Sequence, residues 1–415
     1  MLPFSFLYDL FARPTTPVHE HPPTHHDVHL PLEVAFNIIE AAYHSEDADR
    51  RQLLRHCALV CRDWSFLAQR LLFRDVAITS RPSYTSFLAA VDRSTSRGCF
   101  LGDAVMSMHL VIDHNDQFGL SPACFAHAVA SCPKLVDLHL AVYGSAQPGN
   151  DVLGLPDLVR MRRAAPSFDD ATLERLRTGP SIRALEFSNW SENSAAIVQL
   201  LDVWPSLKRV AFSGTPPQLP PTSLPPFPGA IEELRVNCQS AVQVDFMTWL
   251  LRNSAKSLHT LELEREQPNE VIDYLVEGHG ATVRSLALPA CTTHAHAAAV
   301  RKCTRLRELR IEAPWVTPVL FKPFPAELEH LALAIDQDSA IQPLLDAIRH
   351  TEGALKAVTL QVWDKGESNA QLPVLKMACA LRGIELGITT DIQTFRTVVR
   401  RDPAVASPFA RAAEK

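Results

Sequence analysis

From Leu135 onward one pattern of apolar positions keeps returning: apolar, two residues, apolar, one residue, apolar. It reads Leu135, Leu138, Leu140, then Ile182, Leu185, Phe187, then Leu207, Val210, Phe212, then Ile231, Leu234, Val236. It continues through Leu258, Leu261, Leu263, Val283, Leu286, Leu288, Leu306, Leu309 and Ile311, and on to Leu328, Leu331, Leu333, Leu355, Val358, Leu360, Leu381, Ile384 and Leu386. Phe73, Val76, Ile78 and Val105, Met108, Leu110 are earlier candidates. Triplets of this kind arise often by chance, so their phase matters more than their number. From Ile182 to Leu381 successive starts lie 22 to 27 residues apart, a period that marks a repeat architecture. The last two apolar positions of each triplet alternate as in a half-buried strand.

Between the triplets the spacing changes to that of helices. Ser191 to Trp204, Val242 to Arg252, Pro268 to Glu277, Ser339 to His350 and Leu372 to Ala380 each carry apolar residues three and four apart,. The unit is therefore strand, turn, helix. One unit cannot bury both its strand and its helix face, so neighbours must stack with parallel strands. Two connections carry proline in place of a helix pattern, 214 to 228 (GTPPQLPPTSLPPFP) and 314 to 325 (PWVTPVLFKPFP), and read as extended surface segments,. The step from Leu135 to Ile182 is two periods long, and Leu158 and Met161 are candidates for a missing strand, with Arg163 in the third apolar place.

Before the repeats, Leu30 to Ile78 has helix periodicity only. Leu30 and Pro31 open a run with Val34, Ile38 and Ile39, as a proline-fixed first turn would,. After a polar stretch from His44 to Arg51, Leu53, Leu54, Cys57, Val60, Cys61 and Trp64 form one stripe of a second helix, and Leu67, Leu71, Leu72 and Phe73 extend it into a third. Pro82 to Arg93 reads as a further helix with Phe87, Leu88 and Val91 on one face. So small a three-helix unit is marginal alone, and part of its apolar surface should meet something else.

The order Leu-Pro-x-Glu, Ile-Ile, then Ala-Leu-Val-Cys-Arg-x-Trp and Leu-Ala resembles the F-box, in the form found in fungal proteins. The stretch from His44 to Gln52 is longer than in a compact F-box. That resemblance implies docking on a Skp-family adaptor of a cullin ubiquitin ligase through Leu30, Pro31, Ile38, Ile39, Leu53, Leu54, Val60 and Trp64. Periodicity alone does not divide Ile38, Ile39 and Trp64 between the adaptor and the module's own core. The later repeats resemble irregular leucine-rich repeats of the kind attached to F-box proteins. They lack the family's regular Asn or Cys after the strand, where this chain has Tyr143, Trp190, Thr215, Gln239, Glu266, Cys291, Pro314, Asp336, Trp363 and Thr389.

The expected fold is thus α/β: a leader over 1–27 without fixed structure, a three-helix F-box-like module over 28–75, a leucine-rich-repeat solenoid over 76–390, and a tail over 391–415. The solenoid would be a horseshoe with its parallel strands on the inner face. Residues that flank the apolar ones would project from that face as a ladder: Asp137, His139, Glu186, Arg209, Glu233, Arg235, Glu262, Glu264, Glu308, Arg310, Glu312, His330, Thr359 and Gln361,. Arg235, Glu262, Glu264, Glu308, Arg310 and Glu312 are the candidate substrate-binding residues. Mixed signs there suit a protein partner of unknown identity rather than nucleic acid.

Composition narrows the function without adding chemistry. A net charge of −6 over 415 residues offers no basic stripe for nucleic acid or an anionic membrane,. Nine cysteines without a Cys-x-x-Cys pair argue for reduced thiols in the cytoplasm or nucleus,. The apolar opening MLPFSFLYDLFARP lacks a basic leading region and carries Asp9, so it is not read as a signal peptide,. Histidines 19, 21, 25, 26 and 29 sit among prolines and read as a solvated leader rather than a metal site,. His294 and His296 are two apart and do not share a helix face, and Cys57 and Cys61 read as core. No phosphate loop, nucleophile turn or zinc helix occurs,. The reading is a non-enzyme that needs neither cofactor nor metal, the substrate subunit of a ubiquitin ligase. The competing one is a repeat scaffold whose first helices only cap the solenoid.

Overall fold

The computed structural model describes residues 31–44, 50–150, 153, 155–350 and 354–398. Leu30, the leader and most of the C-terminal tail lie outside the described residues. Contacts divide the chain into two compact units, Met1–Ser206 and Leu207–Lys415.

Unit 1 begins with three helices, α1 (Leu32–His44), α2 (Arg50–Val60) and α3 (Arg62–Arg74). The Pro31 carbonyl accepts from the amides of Val34 and Ala35, so the proline opens α1 as its position predicts,. Ile39, Leu54, Cys57, Ala68 and Leu71 form the core between the helices, with Tyr43, Trp64, Leu67 and Leu72 packed around it. The single helix expected from Leu53 to Trp64 is in fact two. Cys61 is extended (φ −156°, ψ 174°) and turns the chain, so Trp64 belongs to α3. Cys57 is buried but Cys61 is exposed, so only the first packs in the core.

No linker follows. Strand β1 (Asp75–Ile78) starts at the residue after α3, which is why the helical module falls in the same unit as the first repeats and not apart from them. Helices α4 (Arg81–Ala90) and α5 (Ser96–Ala104), strand β2 (Ser107–Asp113), helix α6 (Pro122–Ala130) and strand β3 (Asp137–Tyr143) come next. Ser80, Thr95 and Ser121 cap α4, α5 and α6 by accepting from the amides of Ser83, Gly98 and Cys124,.

The long interval after Leu135 holds no missing repeat. It is an antiparallel hairpin, β4 (Ser145–Asn150) paired with β5 (Pro156–Ala164). Met161 lies in β5 and is exposed. Strand β3 instead pairs in parallel with β6 (Ala184–Trp190), with Leu138 opposite Leu185 and Leu140 opposite Phe187. The hairpin leaves the sheet at Gly144, where a Cβ would lie 2.3 Å from the Arg163 carbonyl oxygen. No larger residue fits there. Helices α7 (Asp170–Arg177) and α8 (Ala196–Val203) complete the unit, α7 capped by the Asp169 carboxylate on the Thr172 amide.

Unit 2 repeats the theme more regularly. Strands β7 (Arg209–Gly214), β8 (Glu233–Cys238), β9 (Thr260–Leu263), β10 (Ser285–Leu288), β11 (Glu308–Ile311), β12 (His330–Ile335), β13 (Ala357–Val362) and β14 (Glu385–Thr389) pair in parallel, each with the next. Between them lie helices α9 (Val244–Leu251), α10 (Asn269–His279), α11 (His294–Lys302), α12 (Gln342–His350) and α13 (Leu372–Arg382). Triplet residues such as Leu261, Leu263, Leu286 and Leu288 are buried and line one small interior void with Ile272, Leu275 and Val276 of α10. The alternating residues face the other way, and that side of the sheet is the inner face.

The final triplet is a correction. Leu381 lies in α13 and is 81% exposed, because the helix runs on to Arg382 before β14 begins. Both proline-rich connections stay against the body. Phe227 is fully buried beside Trp249 of α9, and the Trp249 indole donates to the Pro225 carbonyl at 2.6 Å. The second connection contains a short 3-10 turn (Pro318–Phe321) and lines a cleft of about 520 Å³ with Leu333, Ile341 and Leu344.

In place of a regular amide ladder, side chains one repeat apart tie the turns together. Ser254 accepts from the Ile231 amide, Ser257 donates to the Ile231 carbonyl, and Thr282 donates to the Leu258 carbonyl. Asn369 donates to the carbonyls of Asp336, Gln337 and Ser339. These bonds satisfy backbone groups that the stacked turns would otherwise bury unpaired. The result is a leucine-rich-repeat-like α/β fold.

Candidate functional site

The residues singled out from the sequence fall on two parts of the molecule, one in each unit. In the helical module Pro31, Ile38, Leu53 and Val60 are exposed, at 50% for Ile38, 47% for Leu53 and 60% for Val60. Leu32, Val34, Leu59 and Phe66 are exposed beside them in sequence. Ile39 and Leu54 are not surface residues. They are 0% and 1% exposed and pack in the module core. The physical reason is the helix period: Ile38 and Ile39, like Leu53 and Leu54, sit about 100° apart, so one of each pair turns inward. Trp64 is partly buried against the same core.

In unit 2 the inner face carries the expected charges, but not as an open ladder. Register sets Arg235 opposite Glu262, Glu262 opposite Ala287, Ala287 opposite Arg310, Arg310 opposite Ala332, Ala332 opposite Thr359 and Thr359 opposite Gly387. Arg235 donates to Glu262 at 3.1 Å, and Arg310 approaches the same carboxylate at 3.3 Å. The Arg310 side chain is fully buried, and Glu262 and Glu312 are nearly so. Asn237 donates to Glu264 at 2.8 Å. Glu308 stands half-buried at the start of β11.

What buries them is the segment expected to be a tail. Residues Ile392–Val398 form helix α14, packed against the inner face. Asp391 starts it, accepting from the amides of Gln393 and Thr394 and from the Thr394 hydroxyl,. Phe395 is fully buried and packs on Ala332, with Ile392 beside it. Arg396 makes a two-pronged bond to Glu312, Nε to Oε1 at 2.9 Å and Nη2 to Oε2 at 2.6 Å, and a further bond to Glu264 at 3.0 Å. Arg310 in turn donates to the Arg396 carbonyl at 2.9 Å, meeting the negative end of the helix,. The bond to Glu312 is the first cause that holds the Arg396 guanidinium above its ordinary pKa.

The sequence left Phe395 and Arg396 unread. Asp391 ahead of apolar residues three apart, Ile392 and Phe395, was the available helix signal,. A second signal was the run of small inner-face residues, Ala287, Ala332, Ala334 and Gly387, which leave room above the strands.

Unit 1 has an inner face of a different kind. His109 and His139 stack with ring centroids 4.0 Å apart. His109 meets Asp75 at 3.4 Å, and His139 meets Asp137 at 3.4 Å and Glu186 at 3.2 Å. Burial opposes a charge on His139, but its bonds to Asp137 and Glu186 outweigh it and push the pKa up to about 9,. The bond to His109 holds Asp75 below the usual carboxylate value. Among the described residues no group of His, Cys, Asp and Glu is arranged to hold a metal ion. Burial pushes the thiols of Cys132, Cys238 and Cys303 up to about 12, so they stay protonated and unreactive at neutral pH,. No helix among the described residues is long and apolar enough to cross a membrane.

The chain matches no protein-family model and no curated protein. Among solved structures it is similar to a crystal structure of a TLR13-ssRNA13 complex, at 14% identity and a TM-score of 0.33. The match covers 65% of this chain and 44% of that one, so this chain spans less than half the length of that relative. At that level the likeness carries nothing over to this chain.

Proposed function

We propose that this chain is a non-catalytic binding subunit that docks on a Skp-family adaptor of a cullin ubiquitin ligase through its helical module and holds a protein substrate on its repeats. The observation that carries the reading is the apolar surface left on that module. Ile38, Leu53, Leu59 and Val60 are each about half exposed or more, although the module has a core of its own. Large apolar side chains gathered on so small a unit favour a protein partner. The proposed adaptor contacts are Pro31, Ile38, Leu53 and Val60, with Leu30 preceding them; Trp64, Ile39 and Leu54 support the helices from within.

A second reading, in which the helices only cap the repeats, also has an observation in its favour. Helix α3 continues directly into β1, the Met106 amide donates to the Arg74 carbonyl at 3.0 Å, and Phe66 stacks on Phe100 of α5 at 4.1 Å. These contacts tie the module to the start of unit 1, as a cap would be tied. Capping leaves the exposed side chains of α1 and α2 unexplained.

The test is co-expression of the full chain with a Skp-family adaptor, followed by size exclusion, beside the variant Ile38→Asp/Val60→Asp. A stoichiometric complex that the double variant loses, at an unchanged melting temperature, is the expected result. A folded full chain that elutes alone sinks the ligase reading and leaves the cap.

A further inference from the structure

Along unit 2 the exposure of the inner face changes abruptly. In β7 and β8 buried and half-buried residues alternate, as in a sheet with one wet side,. In β10 to β13 the alternation is lost and consecutive residues are buried. The residues that break it are Ala287, Arg310, Ala332, Ala334, Thr359 and Gln361, and Glu312 just past β11 is buried with them. These are a floor of small side chains beside a charged wall. Such a row is a poor solvent-facing surface and a good seat for a helix.

The wall has a definite chemistry. Glu262, Glu264 and Glu312 converge there, and the strands bring the guanidinium groups of Arg235 and Arg310 to them. Arg396 adds another guanidinium from outside the sheet, gripped on one edge by both oxygens of Glu312. Two parallel N–H to oxygen bonds match the planar fork of arginine, and lysine cannot reproduce them. One residue earlier, Phe395 fills the alanine floor and is fully buried. Buried carboxylates without such a cation would be costly, so the site calls for one wherever it comes from.

We propose that the inner face of unit 2 is a recognition site for a polypeptide segment that presents an arginine beside a bulky aromatic residue, and that α14 is its built-in occupant. The helix is short, and a helix of seven residues has little stability of its own,. Its hold on the sheet rests on Phe395 with Ile392 beside it, on the Arg396 guanidinium and on the bond from Arg310 to its backbone carbonyl, all contacts that another chain can supply. The tether gives α14 a high local concentration, so a partner segment must outcompete it or act when it is displaced. This rests on the reading of the sheet as a protein-binding surface and not on the adaptor reading. The assay contains no adaptor, so either can fail without the other.

The probe is a fluorescein-labelled synthetic peptide with the sequence of residues 389–398, titrated by anisotropy into the full chain. Against the full-chain variant Phe395→Ala/Arg396→Ala, binding at least tenfold tighter than to the unaltered chain is expected. Adding Glu264→Gln/Glu312→Gln to that variant should return binding to the low level, and a peptide with lysine for arginine should bind several-fold more weakly. Equal binding to both chains, or binding indifferent to Glu264 and Glu312, overturns the proposal. A readout on the unaltered chain avoids any folding defect of the variants: a large excess of the peptide should speed hydrogen exchange in residues 391–398 while β11 to β13 stay protected. No change in that exchange also overturns it.

Discussion

The inner faces of the two units are built by the same rule and end in opposite states. In both, parallel strands set polar residues opposite one another on the side away from the helices. In unit 1 the row Asp75, His109, Asp137, His139 and Glu186 keeps its side chains about one-third to one-half exposed, and its strands alternate cleanly between buried and half-buried positions. In unit 2 the row from Glu262 to Gln361 is sealed under α14. The difference does not lie in charge density. It lies in side-chain volume: after Ala77, unit 1 sets His109, His139 and Glu186 side by side in one register, while unit 2 separates its charged residues with Ala287, Ala332 and Gly387. Stacked polar side chains satisfy one another and need no cover, whereas a floor of alanines gains by excluding water.

If volume sets the contrast, the largest effect should come from the ring that exploits it. Phe395→Ala should cost α14 about 3 kcal/mol of protection, as large-to-small changes at buried aromatic sites do. Hydrogen exchange of residues 391–398 should then rise toward that of free chain, with no change in unit 1. Unaltered exchange would mean that the ring does not hold the helix. Arg396→Ala should cost about 2 kcal/mol, the usual range for hydrogen bonds to charged groups, read in the same exchange experiment; Arg396→Lys should recover only part of it.

Asp391→Ala removes the cap and should raise exchange in α14 by less than either change above. Acid should mimic that change. The bonds from Thr394 and Gln393 hold the Asp391 carboxyl below its ordinary pKa. A depressed folded-state pKa means that its contribution is present above the unfolded value and lost as the pH falls through the folded one. Protection of α14, measured relative to the intrinsic exchange rate at each pH, should therefore fall more at acid pH in the native chain than in the alanine variant, which loses only the share set by Glu264 and Glu312.

The last test belongs to unit 1 and has the opposite sign with pH. His139 has its folded-state pKa raised from about 6.5 to about 9. The stability this contributes is complete below the unfolded value and is lost as the pH rises through about 9. Melting temperature followed from pH 6 to 10 should fall for the native chain and less for His139→Asn. Equal slopes would show that the histidine row is not a charged ladder.

Much of this was legible in the chain itself. The triplets locate the strands because an apolar residue every second position can face only one side of a sheet, and Leu138 through Leu360 all do so. The start of α1 was legible from Pro31 ahead of an apolar period. The reading failed where two elements compete for one stretch. Nothing in the period marks the break at Cys61, since both helices continue one stripe. The hairpin before Ala164 occupies a length that two repeats would also fill, and Leu381 fits the strand pattern and the helix pattern equally well.

By itself, then, the amino-acid order determined local state and facing: which residues enter strands, which helices lie between them, and which charges share the inner side. Those follow from periods of 2 and 3.6 residues, which are properties of neighbours along the chain. Only the tertiary structure decided what those faces meet. That Ile39 is core and Ile38 surface, and that Glu312 is met by Arg396 from 84 residues away, depends on which surfaces pack once the chain has turned back on itself. Contacts at such separation leave no periodic trace, because the energy that selects them comes from burial and charge pairing between elements and not from the elements' own geometry.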